Sequence, residues 1–85
     1  MPKNFFDDEE IRKERNKALF SLDRKVIELY LTKYGMRALA LMDDDNFWCS
    51  VYSSICAIKD APEAIRAKAA KWLFDNCYPI PMPRY

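Results

Sequence analysis

The groups that could do chemistry in this 85-residue chain are few. There is no histidine, so neither a Ser–His nor a Cys–His nucleophile pair can be assembled. A single glycine, Gly35, leaves no glycine-rich loop to cradle a phosphate. Three cysteines remain, Cys49, Cys56 and Cys77. Cys49 and Cys56 stand seven apart, beyond each other's reach on one helix, and a zinc site would need a fourth ligand and closer pairs. They read as small buried hydrophobes of a reduced, cytoplasmic protein. No catalytic residue, cofactor or metal ligand is assigned, and the chain is expected not to be an enzyme.

Charge offers two further candidates. Acidic residues cluster at Asp7, Asp8, Glu9 and Glu10 and again at Asp43, Asp44 and Asp45. The second run lacks the glycine and distal Glu of a calcium loop. Both fit helix N-termini, where the backbone dipole favours carboxylates. The basic residues Arg12, Lys13, Arg15 and Lys17, followed by Arg24 and Lys25, are the nucleic-acid candidates. They spread around a helical wheel with Glu14 among them, the pattern of a solvated helix. The whole chain carries 14 basic and 13 acidic residues, far from the basic excess of a protein that coats nucleic acid. Nucleic-acid binding through Arg12, Lys13, Arg15 and Lys17, aided by Arg66, Lys68 and Lys71, is therefore the second reading.

The elements that must position these groups are helical. Between Asp45 and Lys59 no residue is charged. Phe47, Trp48, Val51, Tyr52, Ile55 and Ile58 fall on one side of a wheel, while Ser50, Ser53, Ser54 and Ala57 occupy the other. This stretch predicts a buried central helix. Pro62 and Glu63, with Asp60 as cap, predict the start of the next helix, which runs to about Asn76 and buries Ile65, Ala69, Trp72 and Leu73. The short turn between them predicts an antiparallel αα-hairpin.

Upstream, Asp7 and Glu10 form a capping box and Phe6 and Ile11 a hydrophobic staple. From Ala18 two stripes emerge: Leu19, Leu22, Val26, Leu29, Tyr30 and the stem of Lys33, then Phe20, Ile27, Leu31 and Tyr34. Continuity or a mild bend is expected through Ser21, with Gly35 closing the helix in a Schellman turn onto Leu31. Residues 1–6 are expected to be a flexible arm. In 78–85, prolines at alternate positions hold an extended tail that packs over Phe74 and Tyr78.

The expected fold is an all-α, single-domain bundle of four or five helices with a central αα-hairpin and an extended Pro-rich C-terminal tail. No apolar run is long enough for a membrane span, and no signal-peptide core is visible. An initiating Met and a tail without a tag remnant suggest a complete small protein of the bacterial or mobile-element accessory kind. Apolar surface is in surplus at Phe20, Ile27, Leu31, Tyr34 and Phe74, beyond what a small bundle can bury. The expected function is protein–protein contact, regulatory or accessory. The partner is another protein or a second copy, as a homodimer built around Ile27 and Leu31.

Overall fold

The structure, a computed structural model, describes residues 9–84. The arm at 1–6 lies outside those residues, as do Phe6 and Asp7 of the expected staple and capping box. The chain is all-helical: α1 (Glu9–Phe20), α2 (Arg24–Lys33), α3 (Arg37–Ala40), α4 (Asp44–Ala57) and α5 (Glu63–Asp75). No strand occurs among the described residues. The helices group into two compact units, Met1–Ala40 and Leu41–Tyr85.

In the first unit, α1 packs on α2 and α2 on α3. The expected continuity through Ser21 does not occur. The Ser21 hydroxyl donates to the Ala18 carbonyl at 2.6 Å and accepts from the Asp23 N–H at 3.2 Å. Leu22 turns left-handed, with φ of 55°. Asp23 then caps α2, its carboxylate accepting from the Lys25 N–H at 2.9 Å. Ser and Asp side chains offer the backbone an alternative to the helical ladder, and two of them here outcompete it. At the other end of α2 the expected Schellman turn is present. Gly35 has φ of 76°, Met36 N–H donates to Leu31 O at 2.7 Å, and Gly35 N–H to Thr32 O at 3.2 Å.

The break resets which residues share a face. Phe20 belongs to α1, so it never shares a cylinder with Ile27, Leu31 and Tyr34. Ile27 is fully buried, and Tyr30 and Leu31 are buried beside it in sequence register. Val26 and Leu29, assigned by their spacing to the inward stripe, point outward, Leu29 at 73% exposure. Each stripe is split: Leu19 and Tyr30 of the first are buried while Val26 and Leu29 are not, and Ile27 and Leu31 of the second are buried while Phe20 and Tyr34 are half-buried. Ile27 and Leu31 are core positions, so the surface expected to form a homodimer there is not on the outside of the chain.

In the second unit α4 and α5 pack together across residues 58–62. Asp43 stands at the N-cap of α4, but its carboxylate takes the Asn46 side-chain amide at 2.6 Å instead of a first-turn N–H. Asp44 and Asp45 fill the first turn, where the dipole favours them. Phe47, Val51, Tyr52, Ile55, Cys56 and Ala57 are buried on α4, Ala69 and Leu73 on α5. Each fully buried Ile, Leu or Phe is worth about 1.5–3 kcal/mol, which is what holds helices of this length.

The cap expected from Asp60 is absent. Pro62 itself occupies the N-cap of α5, with no side-chain cap bond, and Asp60 lies exposed in the turn. The turn is fastened by Arg66 instead. Its Nη2 donates to Ile58 O at 2.6 Å and Lys59 O at 2.8 Å, placing a cation on carbonyls at the C-terminal end of α4. The α5 helix ends in a second Schellman turn, with Tyr78 N–H on Leu73 O at 2.9 Å and Cys77 N–H on Phe74 O at 3.1 Å.

Candidate interaction surfaces

Within the first unit, one polar cluster ties α1 to the end of α2. Lys33 Nζ donates to Glu14 Oε1 at 2.9 Å, and the Tyr34 hydroxyl donates to Glu14 Oε2 at 2.5 Å. The two donated bonds, Lys33 first and then Tyr34, hold the Glu14 carboxyl below its ordinary range. The same bonds push Lys33 and Tyr34 upward, Glu14 being the leading cause for each. A lowered carboxyl contributes stability above its unfolded range that is lost as pH falls through the folded value. The raised Lys33 and Tyr34 contribute stability below their ordinary ranges that is lost as pH climbs through the folded values. The cluster therefore supports the fold from mildly acid to alkaline pH and fails at both extremes. Lys33 is 62% exposed, so solvent screens the pair and the effect is small. A Glu14→Gln variant should melt slightly below wild type at neutral pH, and thermal melts in acid should show that gap closing.

The nucleic-acid candidates lie on α1. Arg12, Lys13 and Lys17 are exposed, while Arg15 is half-buried and donates through Nε and Nη2 to Asn16 Oδ1 at 3.1 and 3.0 Å. They remain spread around the helix. Arg24 pairs with Glu28 at 2.8 Å and Lys71 with Asp75 at 2.6 Å, both one turn apart on their helices.

Among the protein-contact candidates, Phe20 and Tyr34 are half-buried, Ile27 and Leu31 buried, and Phe74 exposed at 73%. The structure does not bring the five to one outward face. Sequence spacing missed other outward residues: Val26 and Leu29 on α2, Leu41 after α3, and Ile80 and Met82 in the tail. The Asp23 cap is the signal that would have found Val26 and Leu29. Once it starts a new helix, Ile27, Tyr30 and Leu31 become the coherent inward face.

The second unit carries a run of aromatic rings. Phe47 meets Trp48 edge-on at 5.1 Å, and Trp48 stacks on Tyr52 at 5.2 Å. Tyr52 leans on Trp72 at 5.2 Å, and Tyr78 lies flat on the same indole, 5.8 Å away and 4° from parallel. Such pairs each add about 0.5–1.5 kcal/mol beyond burial. Trp72 thus links α4, α5 and the start of the tail, while Phe74, on another side of α5, is left uncovered. An open groove of about 280 Å³ runs past Ser53, Ser54, Ala57, Pro81 and Arg84.

The three cysteines are unbonded and differ in access. Cys56 is buried, and burial pushes its thiol up, with Arg66 partly opposing. Cys49 is half-buried and Cys77 exposed. Alkylation of the native protein should proceed at Cys77 first, then Cys49, with Cys56 reacting only on unfolding. Peptide mapping after timed iodoacetamide treatment checks this order, and early labelling of Cys56 would contradict the packing of α4.

Among the described residues, no three Cys, Asp or Glu side chains gather as a metal-holding group. None of the helices among them is long and apolar enough to cross a membrane. No family model matches the chain, and neither the curated proteins nor the solved structures contain a match.

Proposed function

We propose that this chain is a non-enzymatic protein-interaction module, a regulatory or accessory factor of a reducing, cytoplasmic compartment. The observation that carries the reading is the outward placement of large apolar side chains on helices whose other faces are already filled. Leu29 on α2 and Phe74 on α5 are each 73% exposed. Ordered helices presenting such anchors fit contact with another protein, since aromatic and large aliphatic anchors carry most interface energy. Three unbonded cysteines fit the compartment. In this reading α4 and α5 form an antiparallel αα-hairpin, and residues 78–84 run extended along it.

The test is affinity capture from the source cell with wild type and with Leu29→Asp and Phe74→Asp variants. Both variants should keep the wild-type melting temperature and lose the captured protein. A capture unaffected by both, or one consisting of nucleic acid released by modest salt, would contradict the reading.

A further inference from the structure

The tail leaves α5 through a strained hinge and, among the described residues, is fastened by a ring stack and a backbone bond. Cys77 takes a left-handed φ of 63°, a conformation that costs any residue with a Cβ. Just beyond it, Tyr78 stacks on Trp72. At the far end the Arg84 N–H donates to Ala57 O, at the last turn of α4, at 2.7 Å. Between these fastenings the half-buried Pro81, with the exposed Arg84 beyond it, borders the open groove beside Ser53, Ser54 and Ala57. Ile80 and Met82 point away from it, 47% and 76% exposed.

The two attached residues, Tyr78 and Arg84, and the groove-lining Pro81 between them are spaced by three, the repeat of a polyproline II helix. Prolines two apart hide this period, because the inner edge contains one proline and not three. Pro79, Pro81 and Pro83 fix their own φ and press Tyr78, Ile80 and Met82 toward extended backbone. A segment so constrained is stiff and can change place as one piece.

We propose that residues 78–84 are an exchangeable arm, docking on the α4–α5 unit of a second copy of this chain while that copy returns its own. The inference rests on the reading of the chain as an interaction module and names its partner. The occupant is argued from the tail itself, the segment seated in this place. A second copy supplies the same ring stack and the same backbone bond, so exchange conserves the contacts. It also frees Cys77 from its left-handed turn. Against exchange stands the tether, which gives a chain's own tail an effective concentration on the order of millimolar. Reciprocal exchange closes on a two-fold axis and yields a dimer, not a filament.

The test uses the full chain, with reductant present because Cys77 is exposed. The protein is passed through brief unfolding and refolding at rising concentration and sized by light scattering. Wild type should form a dimer as concentration nears the millimolar range. Cys77→Gly, which accepts the left-handed turn freely, should need at least about thirtyfold more protein for the same dimer fraction, since each dimer relieves two such turns. A synthetic peptide of residues 78–84 in excess should dissociate the dimer. Wild type that stays monomeric would overturn the proposal, as would a Cys77→Gly variant that dimerises equally. So would a dimer that persists in Arg84→Pro, which lacks the N–H donated to Ala57, while far-UV circular dichroism shows its helices intact. Peptide binding without any dimer would assign the groove to a foreign Pro-rich segment and overturn it too. None of these outcomes moves the capture result for Leu29→Asp and Phe74→Asp, so the two readings fail separately.

Discussion

Leu31→Glu should unfold the protein, whereas Leu29→Glu, two residues away on the same helix, should leave it standing. Leu31 is 8% exposed and lies on the face of α2 that buries Ile27 completely. A carboxylate placed there must stay charged in an apolar site, take up a proton, or drag α2 out of its packing. Any of these costs at least about 3 kcal/mol. Small domains hold roughly 5 kcal/mol or a little more in total, so such a loss leaves much of the chain unfolded at ambient temperature. Leu29 is 73% exposed, and its replacement should fall within about 0.5 kcal/mol of wild type. Urea melts of the two variants decide the matter. A stable Leu31→Glu beside an unfolded Leu29→Glu would mean that α2 faces the other way.

The second large effect lies in the α4–α5 unit. Ile55 is fully buried, and Ile55→Ala should cost about 2–5 kcal/mol through the cavity it leaves. Trp72→Ala should cost about 3 kcal/mol, at the low end for a Trp truncation because the indole is only half-buried. That change also removes the ring on which both Tyr52 and Tyr78 rest. Asp60→Ala provides the contrast: the side chain sits exposed in the turn, so the change should fall within about 0.5 kcal/mol. Denaturant titrations monitored by circular dichroism measure all three. A near-neutral Ile55→Ala would remove α4 from the core, and a costly Asp60→Ala would restore it as the cap of α5.

Where one local signal stood alone, the structure was legible in the residues. The uncharged stretch from Asn46 to Ile58 reads as a buried helix because nothing in it competes with that pattern, and six of its residues on α4 are buried. Gly35 reads as a helix stop because it is the only glycine, and its φ of 76° bears that out. Legibility failed where two signals competed over a few residues. Ser21 and Asp23 could each cap α2; both bond the backbone, and the left-handed residue between them is a leucine that gives no warning. That one break turned Val26 and Leu29 outward and Ile27 and Leu31 inward. In the second unit, Asp60 carried the strongest capping pattern, yet Pro62 sits at the N-cap and Arg66 holds the turn from eight residues beyond Ile58. A long side chain returning to helix-end carbonyls leaves no mark in local spacing. Of the five residues expected as surplus surface, Phe74 alone is exposed, and the tail expected to pack over it does not cover it.

Amide hydrogen exchange of the protein with and without its captured partner tests the interaction reading most directly. The expected result is new protection on α2 around Leu29 and on α5 around Phe74, with the amides of Arg12 to Lys17 unchanged. Protection confined to Arg12 to Lys17 on α1 would contradict it, placing the contact on the basic helix instead of the outward apolar anchors.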